Sequence, residues 1–245
     1  MRYELEVIAF DLASCIIAAE NGATRIELCA NPLEGGTTPS FGMIKEAREI
    51  STIQLFPIIR PRGGDFFYST HEFNSMLHDI QQCRDLGCDG VVIGILKKDG
   101  SIDIEKNKEL VSAAKGMEVT FHRAFDRVKE PFVALEQIIS IGCKRILTSG
   151  LKPTVMEGIE LLKELVNTAG DRIRIMPGSG VRSNNISHLA QYTNANSFHS
   201  SARRNNDSSM DFLNPEMIES LTHATLDAHE LRSLKNQLDI YFNQK

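Results

Sequence analysis

Short runs rich in apolar and β-branched residues alternate along the chain with longer stretches whose apolar positions recur every three or four residues, a pattern that predicts strands alternating with helices. Three segments share one local grammar: Asn21 to Leu28, Leu86 to Ile93 and Ile141 to Leu147. In each, a helical pattern stops at a glycine, a small residue follows, and an apolar run begins. Glycine past the end of a helix supplies a left-handed cap, and the run after it is the next strand. Gly22, Gly87 and Gly142 lie 65 and then 55 residues apart, about two βα units, so each interval holds one more strand and helix. Leu55 to Ile59 and Glu118 to His122 supply those strands. Glu4 to Ala9, Arg172 to Met176 and Ser197 to His199 bring the number to eight.

Helix starts are marked by Thr38 before Pro39 at the first helical position and by the capping box Ser69-Thr70-His71-Glu72. Eight βα units within about 200 residues predict an α/β fold, a single (β/α)8 TIM barrel spanning 1–245. A doubly wound open sheet is the alternative. Residues 204–245 read as a variable loop and a C-terminal closing helix: Arg204 to Ser209 is polar, and Pro215 to Phe242 carries Leu and Ile at helical spacing.

Composition narrows the picture. A chain of 245 residues that is 42% hydrophobic can bury a full core. The net charge of -5 gives no general attraction for nucleic acid or an anionic membrane. No run approaches transmembrane length, and Met1 to Phe10 reads as a strand because it lacks a basic start and a long apolar stretch. Five cysteines without CxxC spacing suit a reducing compartment, so the expected location is cytoplasmic.

In a barrel of this kind the loops after the strands surround one cavity, so strand-end residues carry the chemistry. Alternation turns Glu27 and Cys29 inward in the second strand, with Ile26 and Leu28 facing the helices, and turns Thr120 and His122 inward in the fifth. Glu6 and His199 join them from strands one and eight. The run Arg60-Pro61-Arg62-Gly63-Gly64-Asp65 follows strand three, and Arg123 follows His122. Burying so many charges is costly unless they are paired or used, so their convergence predicts a site.

Guanidinium forks recognise carboxylate or phosphate. Together with Gly178, Ser179 and Gly180 after strand seven and Ser200-Ser201-Ala202-Arg203 after strand eight, they point to a small anionic metabolite, with or without a phosphoryl group. For an enzyme of that kind Glu27 and His122 are the acid-base groups and Arg60 and Arg62 the anion clamps. Lys97 and Lys98 lie past strand four, which disfavours a Schiff base, and neither Ser149 nor Ser179 stands in a GxSxG elbow. Cys15, Cys83, Cys88 and Cys143 fall at packing positions, leaving Cys29 at a strand end. A soft ion such as Cu(I) accepts thiolate and imidazole, so Cys29 with His122 or His199 is chemically admissible, although Arg60, Arg62 and Arg123 oppose a cation unless Glu6 and Glu27 offset them.

The stretches Arg25 to Gly36, Ile59 to Asp65, Thr120 to Asp126, Ile146 to Gly150, Ile175 to Gly180 and Phe198 to Arg203 resemble, in order, the motifs of the CutC family, named for copper homeostasis. The resemblance covers roughly residues 1 to 203. It implies a cytoplasmic TIM barrel that is a homo-oligomer (dimer or tetramer) and that takes part in copper homeostasis through copper binding. It carries Cys29 over as the metal ligand, while Ser149, Asp65 and Arg123 stand among the candidate ligand-binding residues. The tail after Arg203 lacks the longer glycine-rich stretch of the family pattern.

Overall fold

The computed structural model describes residues 3–244. Eight parallel strands, β1 (Glu4–Ala9), β2 (Arg25–Leu28), β3 (Gln54–Pro57), β4 (Gly90–Ile93), β5 (Glu118–Phe121), β6 (Arg145–Thr148), β7 (Arg174–Pro177) and β8 (Ser197–Ser200), follow one another round a closed barrel. Two four-stranded arcs, β3-β2-β1-β8 and β4-β5-β6-β7, are joined where Ile58 bridges Val92 in parallel and where β7 lies against β8. The open-sheet alternative is thereby excluded. The outer ring comprises α1 (Leu12–Glu20), α2 (Phe41–Ile50), α3 (Thr70–Asp85), α4 (Ile104–Ala113), α5 (Pro131–Ile141), α6 (Ile159–Ala169), α7 (Ile186–Thr193) and α8 (Ala228–Asn243).

Alternation along the strands divides the apolar residues into two bodies. Leu5, Val7, Ile26, Leu28, Val91, Ile93, Phe121 and Phe198 belong to the main core. A smaller cluster of Cys29, Phe56, Ile58 and Val92, with Ile8 and Phe10 packed against it, is separate. Its members have the opposite parity on their strands, so they face the barrel interior. The cysteines at packing positions, Cys15, Cys83, Cys88 and Cys143, are buried in the main core.

Of the two helix starts marked in the sequence, one forms as expected and one does not. The capping box at Ser69 forms as expected, with Ser69 Oγ accepting from Glu72 N and the Glu72 carboxylate accepting from Ser69 N. Thr38, however, does not cap α2. Its hydroxyl accepts from Arg60 N at 2.8 Å and its own N–H donates to Arg60 O at 2.9 Å, which ties the β2 and β3 loops together. Ser40 caps the helix instead, accepting from Met43 N.

The tail also departs from expectation. Arg203–Asn206 forms β9 and pairs antiparallel with β10 (His223–Leu226), where a polar loop was expected. The closing helix starts only at Ala228, capped by Asp227. The stretch from Pro215 shows helical spacing but no face to bury it: Ile218 is 96% exposed.

Candidate functional site

The base of the barrel is filled by an ionic layer. Glu4 accepts from Arg145 Nε at 3.1 Å, Arg174 Nη1 at 2.7 Å and Ser197 Oγ at 2.9 Å, and pairs with Arg25 at 3.4 Å. Arg145 also meets Glu118. The guanidinium carbons of Arg25 and Arg145 sit 5.1 and 5.4 Å from the centroid of the Phe56 ring, close enough for cation–π attraction in a dry interior.

One layer higher, Arg25 Nε donates to Glu6 Oε2 at 2.5 Å, and Glu6 Oε1 meets His199 Nδ1 at 2.7 Å. Both oxygens of Glu6 are thus occupied. Burial pushes its carboxyl pKa up, but Arg25 and His199 outweigh burial and hold it near 2. The opposing Nε2 of His199 lies 3.8 Å from Glu27 Oε2. Burial lowers the His199 pKa, yet the bond to Glu6 and the charges of Glu27 and Glu6 raise it overall. Glu27 goes the other way: burial dominates and lifts its carboxyl to about 7, the Glu6 charge adding to the rise while His199 opposes it. A carboxyl poised near neutrality beside an oriented imidazole is suited to proton transfer.

Above this layer opens a cavity of about 240 Å³ at the strand ends. Glu27 and His199 form one wall, with Arg60, His122 and Arg123 among the other lining groups. Ser179, Gly180, Ser201 and Arg203 border it from the β7 and β8 loops. His122 begins the short 3-10 turn Arg123–Arg127, and its Nδ1 accepts from Ala124 N at 3.1 Å. The ring proton therefore sits on Nε2, which is buried with no hydrogen-bond partner. Burial, reinforced by the Arg60 charge, lowers the His122 pKa to about 3, so the ring is uncharged. Phe66 packs on both groups, 4.9 Å from the His122 centroid and 4.9 Å from the Arg60 guanidinium carbon.

Two glycines make room for the histidines. A Cβ on Gly94 would stand 2.5 Å from the His122 ring, and one on Gly178 would run into Leu147 and approach His199 to 3.3 Å. Gly178 therefore supports His199 by close approach and does not itself line the cavity. Ser179 lines it at φ 89, a left-handed value that a serine adopts only under tertiary constraint.

The structure does not assemble every expected site residue. Arg60 reaches the cavity, but its Nη atoms donate to Glu34 O, Gly36 O and Gly64 O at 2.7–2.9 Å, so its fork is spent on the loops and only Nε is left without a partner. Arg62 and Asp65 lie outside the cavity. They form a surface cluster in which Arg62 bonds Asp65 at 2.9 Å and Glu72 at 2.6 Å. Arg62 therefore anchors the capping box of α3 instead of clamping an anion.

Ser149 is buried behind the cavity, where Arg123 and Ser149 both bond Asp126. Asp126 also accepts from Thr148 Oγ1 and Leu151 N. Ser201 and Arg203 border the cavity from the loop after strand eight, as the anion reading of that loop expected, whereas Arg25 and Asp126 went unassigned from sequence. For Arg25 the signal was present, because it shares the inward parity of Glu27 and Cys29.

Cys29 faces the barrel interior but does not line the cavity. Burial and the nearby Glu27 and Glu6 charges push its thiol pKa well above the ordinary value. Among the described residues, the grouping of three with metal-ligand geometry is Glu6, Glu27 and His199, whose ligand atoms lie within 4.8 Å of one another. Glu6 is already saturated by Arg25 and His199, and the set contains no sulfur. Cu(I) seeks thiolate, so these residues do not fit a resident Cu(I) centre.

The fold and site define a TIM barrel with a charged, partly unsatisfied strand-end cavity. The CutC family model matches residues 3–204, and the chain belongs to the CutC family. A CutC protein of Chromobacterium violaceum is 46% identical over 96% of this chain and 98% of its own length. One from Bacteroides fragilis is 52% identical over 87% and 85%. Among solved structures, a Streptococcus agalactiae CutC protein named for copper homeostasis shares 35% identity, covers 81% of this chain and 98% of its own, and superposes with a TM-score of 0.78. A thiamine phosphate pyrophosphorylase from Pyrococcus furiosus, at 14% identity and a TM-score of 0.61, shares the fold alone.

Proposed function

We propose that the chain serves copper homeostasis, the role carried by the name of its structural relative, and does so as a barrel enzyme acting on a small anionic compound. The observation that carries this reading is Glu27. Its buried carboxyl is poised near neutrality beside His199, and it shares the wall of a small cavity with the unpartnered Nε2–H of His122. Glu27 exchanges a proton with the ligand, His199 is oriented by Glu6, and His122 donates a hydrogen bond. Arg123 and Arg203 supply positive charge at the rim, and the Ser179-Gly180 and Ser201 backbones approach the ligand from the two loops that hold anions in many barrels.

Direct copper binding at Cys29 is the second reading, favoured by the family role and by a cysteine at a strand end. The raised thiol pKa and the neighbouring Arg60 charge oppose it. Cytoplasmic placement is consistent with five free cysteines, and no helix among the described residues is long and apolar enough to cross a membrane. Exposed Met210, Phe212 and Leu213 in the 207–222 loop support self-association to a dimer or tetramer.

Thermal-shift titration with small carboxylates and phosphate esters tests the enzyme reading. Stabilisation that Arg203→Ala weakens is expected; no stabilisation by any of them would remove it. Cu(I) competition in parallel should be unchanged by Cys29→Ala, and a large loss in that variant would favour the second reading.

A further inference from the structure

The cavity restricts the ligand's chemistry more narrowly than its charge does. Because Ala124 N–H occupies Nδ1 of His122, Nε2 can only donate. A buried donor without an acceptor carries an uncompensated desolvation cost, and that cost is recovered when a ligand oxygen arrives. The partner must be an acceptor such as a carbonyl. Among the residues lining the cavity, Glu27 is the one carboxylate, and no lysine or cysteine joins it. Schiff-base and thiol routes are therefore not provided for. The Ser179 hydroxyl is engaged with Pro153 O at 2.7 Å. A volume of about 240 Å³ lies below the range of about 300–1,000 Å³ common for drug-sized ligands, so the compound has few carbons.

We propose that this cavity abstracts a proton from the carbon beside the carbonyl of a small anionic aldehyde or ketone, with Glu27 as base and His122 Nε2–H bonded to the carbonyl oxygen. The inference rests on the acid-base reading above and names its substrate class. The C–H bond breaks, its electron pair becomes the enolate C=C bond, and the carbonyl π pair moves to the oxygen. Glu27 holds the proton and returns it, so no oxidant or reductant takes part. An imidazole kept uncharged by burial and by Arg60 suits this role, since its donor strength is better matched to an enolate than that of an imidazolium ion. His199, held by Glu6 at 2.7 Å, stands 3.8 Å from Glu27 and fixes the side from which the base acts. The Arg60 guanidinium adds positive charge on the enolate side.

Deuterium wash-in, followed by proton NMR in D2O with dihydroxyacetone phosphate, hydroxypyruvate and pyruvate as probes, tests the step. The protein should exchange α-protons of at least one probe above the buffer rate. Glu27→Gln should lose on the order of 100-fold or more, and Arg62→Ala, outside the cavity, should lose nothing. His122→Gln, which can still donate, should retain more exchange than His122→Leu, with melting curves confirming that each variant folds. A probe that stabilises the protein but shows no wash-in overturns this inference and leaves the anion-site reading standing. If no probe stabilises the protein or exchanges, both fall. Wash-in undiminished in Glu27→Gln also overturns the inference.

Discussion

At the base of the barrel Glu4 is held by Arg25, Arg145, Arg174 and Ser197, whereas at the mouth Glu27 stands 3.8 Å from His199. The two carboxylates respond in opposite directions. Arg145 holds the Glu4 pKa near 2 against the effect of burial, while burial lifts that of Glu27 to about 7. Buried charge is therefore not itself the mark of a site. The base also contains an unpartnered nitrogen, Arg145 Nη1, but its guanidinium lies against Phe56. At the mouth, Arg60 Nε and His122 Nε2 are unpartnered on residues that border a cavity. What separates the regions is whether a ligand can reach the unsatisfied groups.

The largest effect that would break this comparison belongs to the base. Arg25→Met leaves Glu6 buried with only His199 as partner and should cost about 3–5 kcal/mol of stability, read by urea denaturation at pH 8. A loss below about 1 kcal/mol would mean that the ionic layer is not a coupled unit.

A smaller effect is expected from Glu27→Gln, and its sign is reversed. The folded pKa of Glu27 is raised, so between about 4.5 and about 7 the folded state holds a proton that the unfolded state has released. This group's contribution therefore weakens stability as pH rises across that window. Glu27→Gln should flatten that part of the stability profile, and urea midpoints measured from pH 5 to 8 will show whether it does. A steeper decline in the variant would contradict the raised pKa.

Smallest is Arg62→Ala. Its ion pairs are about 40% exposed on the arginine side, so screening limits the loss to below about 1 kcal/mol. Ligand-induced thermal shifts should not change, and their disappearance would return Arg62 to the site.

Much of the barrel was legible from local signals. Gly22, Gly87 and Gly142 mark helix ends because left-handed backbone is cheap for glycine, and each has positive φ. Period-two alternation put Glu6, Glu27, His122 and His199 on the interior face because side chains of a strand alternate by geometry alone. Arg62 misled because a guanidinium near a strand end reads the same whether it faces the cavity or turns back to Glu72. The Thr38-Pro39 pair misled for a related reason: a hydroxyl that could cap a helix was taken by Arg60 N from another loop.

The sequence by itself determined the order of elements, the α/β class and the parity of each strand, since these follow from local backbone preference and the burial of one face, whereas closure of the sheet was decided by the Ile58–Val92 bridge and the β7–β8 contact. Only the tertiary structure decided which charges are satisfied. Whether Arg60 is a clamp or a strut, whether Cys29 is a ligand or an interior thiol, and which His122 nitrogen carries the proton depend on partners from distant loops or on local backbone turns. Hydrogen bonds and desolvation act over a few ångströms in space, a proximity that spacing along the chain does not specify.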